Sequence, residues 1–205
     1  MIAFAPTSLV AILRGVKPDE AEAIAAVLVK AGFGAIEVPL NSPDALASLA
    51  ALSRRFGDKT LIGAGTVLSG DDVGRVALAG GRLIVAPNMN GDVIERALKH
   101  GLDVLPGVAT PTEAFRALDL GASALKMFPA EGMPPEVVKA WLSVLPGGTQ
   151  LFPVGGITPE RIAPYRKAGA AGFGIGGALY RPGLSPAEVW QRATAFVEAW
   201  RAGEP

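Results

Sequence analysis

Three charged side chains stand where an apolar run would ordinarily carry none. Arg14 ends LVAILR, Glu37 lies inside AIEVPL and Lys126 lies inside ALKMFP. A lysine embedded in an apolar strand loses the hydration of its ammonium. Desolvation, and a nearby cation such as Arg14, both favour the neutral amine, the form that attacks a ketone carbon. A glutamate in the same surroundings is pushed the other way, toward a carboxyl that gives and takes protons near neutral pH. The pair predicts a nucleophilic Lys126 served by Glu37 as proton shuttle. A structural ion pair plugging the fold is the competing reading of the same residues.

Two glycine pairs, Gly155-Gly156 and Gly176-Gly177, close two later apolar runs. Backbone N–H groups at such pairs can surround an anion, and a helix N-terminus adds to the field. Tight turns would use glycine too, but both pairs follow the last two strands, where phosphate often binds in a (β/α)₈ barrel. Other signals carry less. Residues 172–177 match GxGxxG formally, yet no helix begins there. His100, beside Gly101, reads as the cationic end of a helix. The apolar stripes of residues 43–56 and 190–200 have helical spacing and read as packing faces. HExxH, GxSxG, P-loop and zinc spacings are missing.

These residues need elements to position them. Eight short apolar runs recur, at residues 9–14, 35–40, 60–66, 83–87, 103–108, 124–129, 151–156 and 172–177. They return about every 20 to 27 residues, the size of a strand, a helix and two short loops. Helix starts are marked by Pro18, Ser42-Pro, Ser69, Thr110-Pro, Thr158-Pro and Ser185-Pro, each with acids in the first turn. Gly32, Gly57, Gly80, Gly101, Gly121 and Gly169 close the helices. The pattern predicts an α/β fold, a (β/α)₈ TIM barrel in a single domain over residues 1–205, with an open doubly wound sheet as the competitor. Strand alternation turns Ala35, Glu37 and Pro39 inward, with Ile36, Val38 and Leu40 outward. It likewise turns Ala124, Lys126 and Phe128 inward. The second and sixth strands of a barrel face each other, so Glu37 and Lys126 point at one another.

Composition narrows the chemistry. The chain has 205 residues, 19 basic and 19 acidic, one histidine and no cysteine, and half of it is hydrophobic. This fits a well-cored domain and excludes disorder, disulfides, thiolate metal sites and cysteine nucleophiles. A net charge of zero gives no electrostatic case for nucleic acid or a membrane surface. The apolar start is interrupted by Pro6 and lacks a basic n-region; the uncharged stretch 140–159 is broken by glycine and proline. We expect a cytoplasmic protein.

Arg14-Gly15, IEVPLNSP around Glu37, GAGTV around Thr66, APN at Pro87, LKMFPA around Lys126 and PVGGIT at Gly155-Gly156 resemble the 2-dehydro-3-deoxy-phosphogluconate/phosphogalactonate aldolases, in order and over nearly the whole chain. The likeness is strongest to the phosphogalactonate branch. Asn41 stands where gluconate-type members have an arginine, and Val154 where they have a threonine. The resemblance implies a class I carbon–carbon lyase, commonly a homotrimer, splitting a phosphorylated 2-keto-3-deoxy sugar acid into pyruvate and D-glyceraldehyde 3-phosphate. It implies Lys126 as Schiff-base lysine and Glu37 as acid/base. Arg14 and Thr66 would hold the carboxylate and neighbouring oxygens, and Pro87 and Phe128 would wall the iminium. Gly156, Gly176 and Gly177 would lie at the phosphate end, with Gly155 completing the first glycine pair, and Val154, just before that pair, is placed to line C4. No metal or cofactor is implied, since the iminium is itself the electron sink. A non-covalent phosphosugar isomerase or epimerase using Glu37 as base, and a phosphate-ligand binding protein, are the alternatives of other classes.

Overall fold

The computed structural model describes residues 7–122 and 124–203; the stretch holding Pro6 lies outside them. Strands and helices alternate: β1 (Leu9–Ile12), α1 (Pro18–Ala31), β2 (Ala35–Pro39), α2 (Ala45–Phe56), β3 (Leu61–Gly65), α3 (Gly70–Leu78), β4 (Leu83–Val85) and α4 (Gly91–Lys99). Then come β5 (Asp103–Leu105), β6 (Gly107–Val108), α5 (Pro111–Asp119), β7 (Ala124–Met127), a 3₁₀ turn (Ala130–Gly132), α6 (Pro135–Leu142), β8 (Gln150–Pro153), α7 (Pro159–Lys167), β9 (Phe173–Ile175) and α8 (Pro186–Ala202). All pairings are parallel, so paired strands need crossovers, which the helices provide.

The curled sheet has two hydrogen-bonded segments, β5-β4-β3-β2-β1-β9 and β6-β7-β8. The fifth run, expected as one strand, is cut by Pro106, which has no N–H to give a ladder; its carbonyl still accepts from Lys126 N at 2.9 Å. At the other junction Val154 bridges Gly174, and Ala171 N donates to Leu151 O at 2.9 Å.

The alternation holds. Val10, Ala35, Leu83, Val85, Leu105, Ala124 and Phe152 form one buried cluster inside the curl. Leu9, Ala11, Ile36, Val38, Leu125 and Met127 belong to the layer between sheet and helices. Fully burying a side chain such as Phe152 is worth about 1.5–3 kcal/mol, and these small and large residues fill the floor on which Glu37 and Lys126 stand.

Side-chain caps set several helix starts. Thr110 Oγ1 accepts from Glu113 N at 3.3 Å while the Glu113 carboxylate accepts from Thr110 N at 2.9 Å, a reciprocal capping box. Ser185 and Glu188 repeat it, and Ser69 Oγ accepts from Asp72 N. Thr158 precedes α7 without a cap bond. Ser42 does not start α2: the helix begins at Ala45, with Asp44 as a left-handed N-cap (φ 42°, ψ 45°) and no side-chain cap bond. Once started, α2 buries Ala45, Ser48, Leu49, Leu52 and Phe56, one face at helical spacing. Among the described residues no helix is long and apolar enough to cross a membrane.

Candidate active site

Among the described residues, β2 and β7 carry the two buried charges. Glu37 is 2 % exposed and Lys126 is 6 % exposed. Register sets Glu37 beside Ile12 of β1 and Gly63 of β3, and Lys126 beside Gly107 and Phe152. Burial pushes the Glu37 carboxyl up to about 7, against the pull of the Lys126 and Arg14 charges, which favour its ionised form. Burial also holds Lys126 below the ordinary lysine range; Glu37 opposes that shift and Arg14 adds to it. Glu37 Oε2 is buried with no hydrogen-bond partner.

The ion-pair plug does not form. Among the described residues, contact ion pairs join Arg55 to Glu22 and Arg75 to Asp72, both on the surface. Lys126 and Glu37 feel each other without touching. Lys126 Nζ lies 4.7 Å from the centroid of the Phe128 ring, a contact that suits a cation or an iminium above an aromatic face.

A cleft of about 440 Å³ opens at the carboxyl ends of the strands. Lys126 and Phe128 line it from β7 and beyond, Arg14 from the end of β1, and Pro87 from the end of β4. Val154, Gly155 and Gly156 follow β8 on the same wall, and Gly176 and Gly177 follow β9. Two expected residues are set back. Glu37 is buried and not among the lining residues, and Thr66 reaches the site through Arg14, whose Nη2 donates to Thr66 Oγ1 at 3.4 Å. Arg14 Nη1 donates to Asn41 Oδ1 at 2.7 Å. His100 ends α4 as its C-cap, exposed and outside this wall.

Gly155 and Gly156 take φ of 109° and 61°, the left-handed region that glycine enters without strain. A Cβ on Gly155 would lie 2.2 Å from Glu131 Oε2. Arg161 Nη1 donates to Gly156 O at 2.7 Å, and Arg181 Nε donates to Gly177 O at 2.8 Å. An arginine thus holds a carbonyl of each pair, and α7 begins at Pro159 just beyond the first. Arg181 and the N-terminus of α7 favour an anion at this end, with the Glu131 carboxylate on the same wall.

Sequence reasoning missed Ile12, Glu131, Thr158 and Arg181 on this wall. Arg181 was legible as a cation four residues after Gly177. Glu131 sits on the 3₁₀ turn, which the Tyr165 hydroxyl steadies at 2.8 Å from Met133 O and 3.1 Å from Ala130 O. An exposed acid in a short loop gives no such signal.

Fold and site define an α/β enzyme of the kind that works at the carboxyl ends of parallel strands. The pattern of KDPG and KHG aldolases matches residues 3–196, and the chain belongs to that family. It is therefore an aldolase, a carbon–carbon lyase. It is 50 % identical to the 2-dehydro-3-deoxy-6-phosphogalactonate aldolase of Escherichia coli (strain K12), over 94 % of each chain. It is 46 % identical to a probable 2-dehydro-3-deoxy-6-phosphogalactonate aldolase of Rhizobium meliloti (strain 1021), over 95 % of this chain and 92 % of the relative. A solved structure described as native KDPGal superposes with a TM-score of 0.97 at 48 % identity, covering 99 % of this chain and 98 % of that one.

Proposed function

We propose that this aldolase cleaves 2-dehydro-3-deoxy-6-phospho-D-galactonate into pyruvate and D-glyceraldehyde 3-phosphate through a Schiff base on Lys126. The observation that carries the reading is Lys126 itself: 6 % exposed, held toward its neutral form, and facing a cleft with an anion-favouring far end. The neutral amine adds to the C2 ketone, and the carbinolamine loses water to give an iminium. Glu37, buried and back from the lining residues, relays the protons through a bound water. The iminium accepts the electron pair of the C3–C4 bond as the C4 hydroxyl passes its proton toward Glu37. Glyceraldehyde 3-phosphate leaves; Glu37 returns the proton to C3 of the enamine, and hydrolysis frees pyruvate and the amine. Arg14, with Thr66 behind it, binds the carboxylate as a charge-assisted partner. Pro87 and Phe128 flank the iminium, and Gly155, Gly156, Gly176 and Gly177 receive the phosphate.

The two sheet segments are parts of one closed (β/α)₈ barrel forming a single domain, supported by the Val154–Gly174 bridge at one seam and the single residue Pro106 at the other. The enzyme is a homotrimer; exposed Leu78, Leu98 and Phe115 on the successive helices α3, α4 and α5 offer apolar surface for a second copy. Its phosphorylated substrate goes with a cytoplasmic location.

Separate kcat/KM values for the two C4 epimers test the substrate. The galactonate epimer is expected to be preferred. A preference for the gluconate epimer overturns the assignment, and interconversion of a phosphosugar without pyruvate release would mark an isomerase instead.

A further inference from the structure

The loop between β2 and α2 breaks a local rule. Ser42, followed by Pro43 and Asp44 ahead of an apolar stripe, has the pattern of a helix cap. Its hydroxyl is used elsewhere: buried at 8 % exposure, it accepts the backbone N–H of Gly15 at 2.9 Å, 27 residues away. The helix is left with Asp44 as an N-cap that makes no side-chain bond. Gly15 is pinned on its other side, since a Cβ there would lie 2.8 Å from Pro182 Cγ. Its neighbour Arg14 is held by Asn41 Oδ1 at 2.7 Å and Thr66 Oγ1 at 3.4 Å. Among the described residues, Asp44 and Thr66 are the non-glycine positions with positive φ, at 42° and 54°. Such conformations are costly for a residue with a Cβ and persist where their surroundings impose them. Thr66 bonds Arg14 directly, and Asp44 ends the loop that carries Asn41 and Ser42.

We infer that Ser42 and Asn41 are positioning residues for the keto-acid end of the cleft, fixing Arg14 before substrate arrives. Ser42 sets the backbone from which the side chain leaves, and Asn41 sets the guanidinium. Arg14 is exposed and has no contact carboxylate among the described residues. Unheld, such a long side chain would lose its rotamer freedom on binding, whereas a guanidinium already clamped has less to lose. The inference rests on the reading of Arg14 as the carboxylate's partner.

The test is the aldol direction, varying pyruvate at saturating D-glyceraldehyde 3-phosphate and then the reverse. Losing the hydroxyl in Ser42→Ala should raise the pyruvate KM about three- to tenfold and leave the aldehyde KM within about twofold. Ser42→Thr keeps the hydroxyl and should restore the pyruvate KM; a cleft of about 300 Å³ beside Leu40, Ser42 and Arg75 has room for the added methyl. Asn41→Ala, at an exposed position, should move the pyruvate KM in the same direction and carries the test if Ser42→Ala does not fold. An unchanged pyruvate KM, an equal rise in both KM values, or a threonine variant as impaired as the alanine one overturns the inference. An Arg14→Ala variant with an unchanged pyruvate KM would instead overturn the reading of Arg14 beneath it.

Discussion

Gly65 of β3 stands where any side chain would collide with Glu37: a Cβ there would lie 1.9 Å from Glu37 Oε2. The glycine gives the buried carboxyl the space it occupies across the β2–β3 pair. Gly65→Ala should therefore force Glu37 from its place. Overpacking of this kind costs about 1–3 kcal/mol, so Tm should fall, and kcat should drop at least about tenfold as the proton relay is displaced. A variant with normal kcat would separate Glu37's position from turnover.

Glu37→Gln should still form the covalent pyruvate adduct but lose about 10²–10⁴-fold in turnover, the usual worth of general acid–base catalysis. Exchange of pyruvate methyl protons with deuterated water should slow in parallel. Unchanged exchange would remove Glu37 from the mechanism.

The same substitution has a pH-dependent stability effect. Glu37 is raised from 4.5 to about 7 in the folded chain, so the folded state keeps a proton that the unfolded chain releases. Stability is then greatest below about pH 4.5 and is lost as the pH rises through about 7, a penalty on the order of 3 kcal/mol. Glutamine does not ionise. Urea unfolding should show the variant's stability relative to wild type constant below pH 4.5, rising to about pH 7 and level beyond. A difference independent of pH contradicts the buried, proton-holding Glu37.

The charges were legible from sequence because they violate the pattern around them: Arg14, Glu37 and Lys126 occupy positions that an apolar strand fills with carbon. The alternation that turned Glu37 and Lys126 inward depends only on the period of a strand. Ser42 was not legible, because its local pattern matches a cap and its real partner, Gly15 N, lies 27 residues away. Two distant loops must meet before that competition exists. The break at Pro106 follows from its missing N–H, yet the residues around it still read as one run. Glu131 became a site residue only when the turn after β7 met the glycine pair after β8.

Gly177→Asp tests the phosphate end. A Cβ at Gly177 meets only Arg181 Nε, at 3.9 Å, an ordinary contact. The introduced carboxylate should repel the phosphate, raising the KM of phosphorylated aldehydes far more than that of pyruvate. Equal losses for phosphorylated and unphosphorylated aldehydes would put the phosphate elsewhere.

Val154 is 5 % exposed and lines the cleft just before the glycine pair. Threonine has its shape and adds a hydroxyl that can bond the C4 oxygen of one epimer. One such bond is worth roughly 0.5–1.5 kcal/mol, so Val154→Thr should shift the epimer ratio toward gluconate by at most about tenfold. An unchanged ratio removes Val154 from discrimination.

The central claim is a covalent one, and borohydride reduction in the presence of pyruvate tests it most directly. Only an iminium is reducible there, so the treatment should abolish activity and leave a stable carboxyethyl group on Lys126, located by peptide mass spectrometry. Loss of no activity and no adduct, or an adduct on a different lysine, would contradict the account.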